Sequence, residues 1–453
     1  MGPARPGISE RVSHVALPGA YLPLKIALLY LIGTVAVFLS GPNAHKVENM
    51  PALLLFISVA YGLFALGYRL SAIQARPYRF VTSPERTVTP FVAALVVASS
   101  VWFLVFSIAS LGEYGATGIG DVLSSLANPT EGYFNKFNVY LEQQLTGRVS
   151  LPIQITVLTG ALYFVLIPVA VFYWKNLNSF LRLIAVLGIG SYLIYFIFIG
   201  TQKGLGDVFM MLLAALAGSI SFDSVTAVRE KYRKRSRRWL AVVAILLSLG
   251  FIVIVANLQG ERAETSGVSG QYPGNPTITA LFGESFSTGM TLTIFYPTHG
   301  YLGLSKNLGM PFEFSGGASV PAVASYIAQY SDAPDPMELS YPVRTEAIDG
   351  WPAGMYWATI FPWLASDLTF PGAALFMALF GWFLARMWIG ARFERDPLAL
   401  VLFSIAAVAI IYIPANNQIM ISRYTAIGAV TLIGIYALRG LLKGGHRGPV
   451  VTK

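Results

Sequence analysis

Four groups of residues have the types and spacing to do chemistry. Lys203 lies in Gly200-Thr201-Gln202-Lys203-Gly204, with Asp207 four residues on. That spacing places ammonium and carboxylate on one helical face. The pair either neutralises itself, with the Lys reaching toward the interface, or aims the ammonium at an anion beside a helix N-terminus. Arg423 follows Asn416-Asn417-Gln418, and reads as an interfacial anchor or as a second cation for the same anion. His299, inside Phe295-Tyr296-Pro297-Thr298-His299-Gly300-Tyr301-Leu302-Gly303-Leu304, is a satisfied structural histidine or a base whose unperturbed pKa suits proton transfer near neutrality. Glu284 is the alternative base. Tyr341-Pro342-Val343-Arg344 precedes Gly350-Trp351-Pro352 and Tyr356-Trp357: an aromatic belt at an interface, or a wall for stacking rings with a guanidinium beside it. Asp367 is read as a helix cap, with a functional carboxylate as the other reading.

Other chemistries have no residues to carry them. With no Cys the chain has no thiolate nucleophile or disulfide, and no His-Glu-x-x-His or Asp-x-Asp pattern offers the convergent ligands a metal needs. The expectation is a site without metal or cofactor.

The elements that must position these groups are membrane helices. Hydrophobic residues make up 55% of the 453 and charged residues only 12%, at a mean hydropathy of +0.62, where soluble chains carry about 25% charged. Apolar stretches of bilayer-spanning length fall near residues 21–40, 50–68, 88–111, 151–173, 180–200, 204–222, 238–256, 371–389, 398–414 and 423–442. A shorter segment at 355–365, interrupted by Pro362, and a weakly apolar one at 278–308 add a re-entrant loop or further spans. The fold class is therefore all-α: a polytopic helical membrane protein of about 10–12 transmembrane helices with two large periplasmic loops. Its parts are an N-terminal three-span segment (1–111), a loop (112–150), a four-span segment (151–256), a large loop with a possible re-entrant part (257–352), and C-terminal spans with a cytoplasmic tail (353–453).

Charge sets the expected orientation. With the N-terminus inside, all but eight of the 31 Lys and Arg fall on the cytoplasmic side, as the positive-inside bias requires. The run from Arg229 to Arg238, which in isolation resembles a nucleic-acid patch, reads between two spans as a stop-transfer loop on anionic lipid. The +9 net charge thus reports topology, and no nucleic-acid partner is expected. The eight outer cations are Lys46, Lys136, Arg148, Lys203, Arg262, Lys306, Arg344 and Arg423. Lys46, Lys136 and Arg148 have no further feature to recommend them.

The Gly-Thr-Gln-Lys-Gly turn opening a span, the Tyr-Pro-Thr-His-Gly-Tyr-Leu-Gly-Leu segment and Trp-Leu-Ala-Ser-Asp-Leu-Thr-Phe-Pro-Gly at 363–372 resemble the Wzy-type O-antigen polymerases over about residues 200–425. An Arg-x10-Gly pattern of some members is not matched, because Gly354 follows Arg344 one residue too soon. The resemblance implies a glycosyltransferase of the bacterial inner membrane, with both termini cytoplasmic and the active site facing the periplasm. It would transfer undecaprenyl-pyrophosphate-linked oligosaccharide onto lipid-linked repeat units, with bilayer lipid and a chain-length regulator as partners. On that reading Lys203, Arg344, Arg423 and, more weakly, Arg262 hold the pyrophosphate, and His299 or Glu284 is the base. Tyr301, Trp351 and Trp357 hold the sugar. The competing readings are an O-antigen ligase and a flippase or transporter of lipid-linked sugars.

Overall fold

The computed structural model describes residues 19–74, 87–127, 129–146, 150–219, 242, 245–246, 249–250, 252–265, 274–330, 334–354 and 356–444. Secondary structure among them is helical throughout, without strand. In chain order the helices are α1 (Leu22–Ser40), α2 (Met50–Gln74), α3 (Pro90–Glu113), α4 (Ile119–Ala127), α5 (Pro129–Thr146), α6 (Leu151–Leu158), α7 (Ala161–Tyr173), α8 (Ser179–Phe198) and α9 (Lys203–Ser219). There follow α10 (252–265), α11 (Pro276–Phe282), α12 (Glu284–Phe295), α13 (Gly300–Leu308), α14 (Pro321–Tyr330), α15 (Tyr341–Asp349), α16 (Phe361–Arg392), α17 (Pro397–Tyr412), α18 (Gln418–Ile421) and α19 (Arg423–Gly444). The N-terminal tail, Arg148, the basic run 229–238, much of the span expected at 238–256 and the C-terminal tail lie outside the described residues.

Local sequence starts these helices where a donor would otherwise be left open. Thr89 accepts the Val92 N–H ahead of α3, Asn178 that of Leu181 ahead of α8, and Asp396 that of Leu398 ahead of α17. Apolarity runs all round the long helices, as in a membrane solvent. Ile26, Leu29 and Ile32 of α1 face outward while Ala27, Leu31 and Phe38 are buried. The expected class is therefore observed: a helical bundle suited to a bilayer.

Of the ten spans expected, the one at 238–256 lies largely outside the described residues. Among the described residues six helices are long and apolar enough to cross a membrane: α1, α2, α3, α8, α16 and α19. α6 and α7 make a seventh only as a pair bent by 63°. The bend falls at Gly160, where α19 crosses so closely that a Cβ would overlap the Tyr424 carbonyl. α17, of 16 residues, reaches only about 24 Å, short of a ~30 Å hydrocarbon core. α17 is buried along almost its whole length, so packed neighbours rather than lipid are its solvent. α2 and α16 show the small-residue packing typical of membranes: a Cβ on Gly67 or Gly381 would overlap a facing backbone carbonyl, of Ala378 and Phe64 respectively.

One further expectation is corrected. Pro362 does not interrupt its segment but occupies the first turn of α16, where its missing N–H costs nothing. The break comes later, at Thr369 (φ 64°, ψ 166°), ahead of Pro371. Within the stretches 112–150 and 257–352 the described residues are largely helical. They fold into α4–α5 and α11–α15, gathered at the end of the bundle where α3 and α8 finish and α9, α16 and α19 begin. The weakly apolar 278–308 neither spans nor stays outside. Its last part, α13, enters the bundle and joins the buried cluster that runs from Leu24 to Leu432.

Candidate functional site

Two neighbouring regions at that end contain most of the candidate residues. The first is built on α13. A 3-10 turn at Tyr296–Thr298 leads into it and buries His299, which is 6% exposed. The imidazole stacks on Trp357 (centroids 5.3 Å, 18° apart) and touches Tyr296, Trp351 and Tyr356. Its Nε2 accepts the Trp357 backbone N–H at 3.0 Å, so the ring's basic lone pair is engaged and the proton belongs on Nδ1. Burial lowers the imidazole from 6.5 to about 4. Tyr301, two residues on, has no exposed surface. Its hydroxyl lies 2.9 Å from those of Thr34 and Tyr61, pinning α13 to α1 and α2. A sugar cannot reach Tyr301 in this conformation. The surface open to stacking is the Trp351–Tyr356 pair, at 4.7 Å, with Tyr356 44% exposed. Glu284 is exposed at the first turn of α12. His299 lies past the opposite end, roughly 20 Å along the axis.

The second region surrounds the turn between α8 and α9. Lys203 meets Asp207 at 2.6 Å, as the spacing permits, and Asp207 also accepts from the Tyr163 hydroxyl (3.3 Å) and the Tyr412 hydroxyl (3.0 Å). Three helices, α7, α9 and α17, thereby converge on one carboxylate. Arg262 of α10 reaches the same turn, donating to the Gly200 carbonyl and, at 3.3 Å, to the Gln202 side-chain oxygen. Its guanidinium lies over the Tyr133 ring of α5, 4.1 Å from the centroid. Beside it opens a cavity of about 710 Å³ between α4, α5, α8 and α10, whose lining includes Ser124, Thr130, Glu131, Asn135, Asn138 and Glu261. Thr130 donates to Glu261 at 3.0 Å. The two regions meet at Tyr296, whose ring packs on His299 and Trp357 and whose phenol feels Arg262 and Tyr133.

The four candidate cations do not share one partner. Lys203 and Arg262 come to a single turn, whereas Arg344 binds Glu313 at 2.6 Å and the Pro311 carbonyl at 3.0 Å. Arg423 donates to Gln329, and the next residue, Tyr424, has its hydroxyl 3.0 Å from that of Tyr192. Asp367 does not cap its own helix. It accepts from Ser315 Oγ (2.5 Å) and from the Gly317 and Ser319 N–H groups (both 2.8 Å), and so ties the Gly-rich turn before α14 to α16. Among the described residues no cluster of three His, Asp or Glu could hold a metal ion.

Reading the sequence missed Glu131, Glu261, Tyr133 and Lys136. Only the adjacency of Glu261 to Arg262 and the three-residue step from Tyr133 to Lys136 on one helix were there to be noticed. The class that fold and site define is a multi-pass helical membrane protein with a polar cavity at one end, beside a turn that carries Lys203 and receives Arg262. No family model, curated protein or solved structure matches the chain.

Proposed function

We propose that this protein is a membrane glycosyltransferase that polymerises oligosaccharide repeat units carried on undecaprenyl pyrophosphate, as in O-antigen assembly. The observation that carries the reading is the juxtaposition of Arg262 and Lys203 on one turn with an open cavity bearing two carboxylates, Glu131 and Glu261. Anionic leaving group and sugar hydroxyls need those two environments side by side. The orientation follows the charge bias, with the cavity on the outer face.

The acceptor hydroxyl enters the cavity, and its oxygen attacks the anomeric carbon as the C–O bond to pyrophosphate breaks. The bonding pair leaves on the phosphate oxygen, where Arg262 and Lys203 stabilise it. The hydroxyl proton passes to a carboxylate. Glu261 is assigned that role in preference to His299, whose Nε2 is occupied, and to Glu284 at the far end of α12. Asp207, held by two tyrosines, fixes the position of the Lys203 ammonium.

Purified protein supplied with lipid-pyrophosphate-linked repeat unit alone should build a ladder of chain lengths. Arg262→Lys should slow it roughly ten- to a hundredfold, because a point charge cannot replace the planar fork. Absence of any extension by the wild type overturns the reading. Transfer only after a lipid A-core acceptor is added would make the protein a ligase.

A further inference from the structure

Lys136 is one of the outer cations without a distinguishing sequence feature, yet the fold places it against Arg262. Its ammonium lies 4.5 Å from the centroid of the Tyr133 ring, the ring on which Arg262 rests at 4.1 Å. Two cations from α5 and α10 are thus within roughly 9 Å of each other in a partly desolvated place, where like charges repel more than in water. Burial and the neighbouring guanidinium bring the Lys136 ammonium down to about 8. Glu261 is a carboxylate that acts on Arg262; it is exposed and accepts from the Thr130 hydroxyl. The Gln202 side chain, whose oxygen accepts from Arg262, has a buried amide nitrogen with no hydrogen-bond partner among the described residues. A donor in that position calls for an acceptor.

We infer that Lys136 and Arg262, held on the Tyr133 ring beside the Gln202 amide, form a dicationic cradle for a phosphate-type anion. A dianionic group removes the repulsion between the cations and accepts from all three side chains. The cradle adds Lys136 to the site proposed above and rests on that reading only for the identity of the phosphate as a lipid pyrophosphate. Anion binding itself can be tested apart from catalysis.

Inorganic pyrophosphate, titrated calorimetrically into the purified full-length protein in detergent, should bind the wild type and Lys136→Arg alike. It should bind Lys136→Gln roughly ten- to a hundredfold more weakly, with sulfate as the control for a general anion effect. Lys136 is also a titratable amine, so in the wild type pyrophosphate should slow its acetylation by an amine-selective reagent, read by peptide mass spectrometry. That measurement needs no folded variant. Equal affinity of Lys136→Gln and wild type, or unchanged acetylation at saturating pyrophosphate, overturns the cradle. Pyrophosphate binding that depends on Lys136, with no glycan extension by the wild type, upholds the cradle and overturns the polymerase reading.

Discussion

The α13 region and the α8–α9 turn lie side by side and use the same kinds of residue, but they dispose of polarity in opposite ways. Around α13 each chemically capable group has an intramolecular partner: His299 the Trp357 N–H, Tyr301 the hydroxyls of Thr34 and Tyr61, and Trp351 Nε1 the Trp357 carbonyl. Around the turn, cations are brought next to one another and next to an open polar cavity. Satisfied buried polar groups specify a structure, whereas clustered like charges cost stability unless a ligand offsets them. On the proposed reading the histidine that stood out in the sequence belongs to the scaffold, and the inconspicuous Lys136 to the site.

The largest effect separating the regions is expected at Tyr301. Replacing a fully buried aromatic by Ala should cost about 3–5 kcal/mol, enough to lose most folded protein. Tyr301→Phe keeps the ring and leaves the Tyr61 hydroxyl short of a partner, at about 1–3 kcal/mol. Thermal unfolding in detergent should show that loss, while extension rate per folded molecule stays near wild type. A Tyr301→Phe protein with normal stability and no activity would break the comparison by moving α13 into the site.

His299 supplies the next effect, a dependence on pH. The folded imidazole titrates near 4 against 6.5 for an unperturbed histidine, so the unfolded chain takes up the proton first as pH falls. The stability contribution is complete above pH 6.5 and is lost between 6.5 and 4, amounting to about 3 kcal/mol. Melting temperature should therefore decline over that range in the wild type, and the part due to this residue should vanish in His299→Gln. A wild type and variant with parallel pH profiles would mean the imidazole is more solvated than its 6% exposure implies.

The sequence made the bundle legible because span length is a one-dimensional property. Caps such as Asn178 and Asp396 mark helix starts within a residue or two. What stayed hidden was whatever depends on pairing between distant segments. Nothing in Phe295–Leu304 says that Tyr301 will meet Tyr61, 240 residues away. Arg344 stood among eight outer cations, but nothing in the sequence pairs it with Glu313, 31 residues before it. The short α17 reads like any apolar span, since an interior helix and a lipid-facing one have similar composition. For Lys136, Tyr133 three residues before it was visible, but the second cation on that ring comes from a helix more than 100 residues on.

Arg344 carries the smallest expected effect and sharpens the boundary between the regions. It is mostly covered, but Glu313 is 49% exposed, and such a half-solvated pair contributes at most about 1 kcal/mol. Arg344→Gln and Glu313→Gln should each lower stability by no more than that, and the double variant by no more than the larger single loss, because both remove one interaction. Chain extension should change less than about threefold in all three, as the corresponding energy is below 1 kcal/mol. If Arg344→Gln alone slows extension tenfold while Glu313→Gln leaves it intact, the guanidinium does its work on substrate rather than on Glu313. Arg344 would then join Lys203 and Arg262, and the turn from Pro311 to Ser315 would have to release it when the lipid-linked glycan binds.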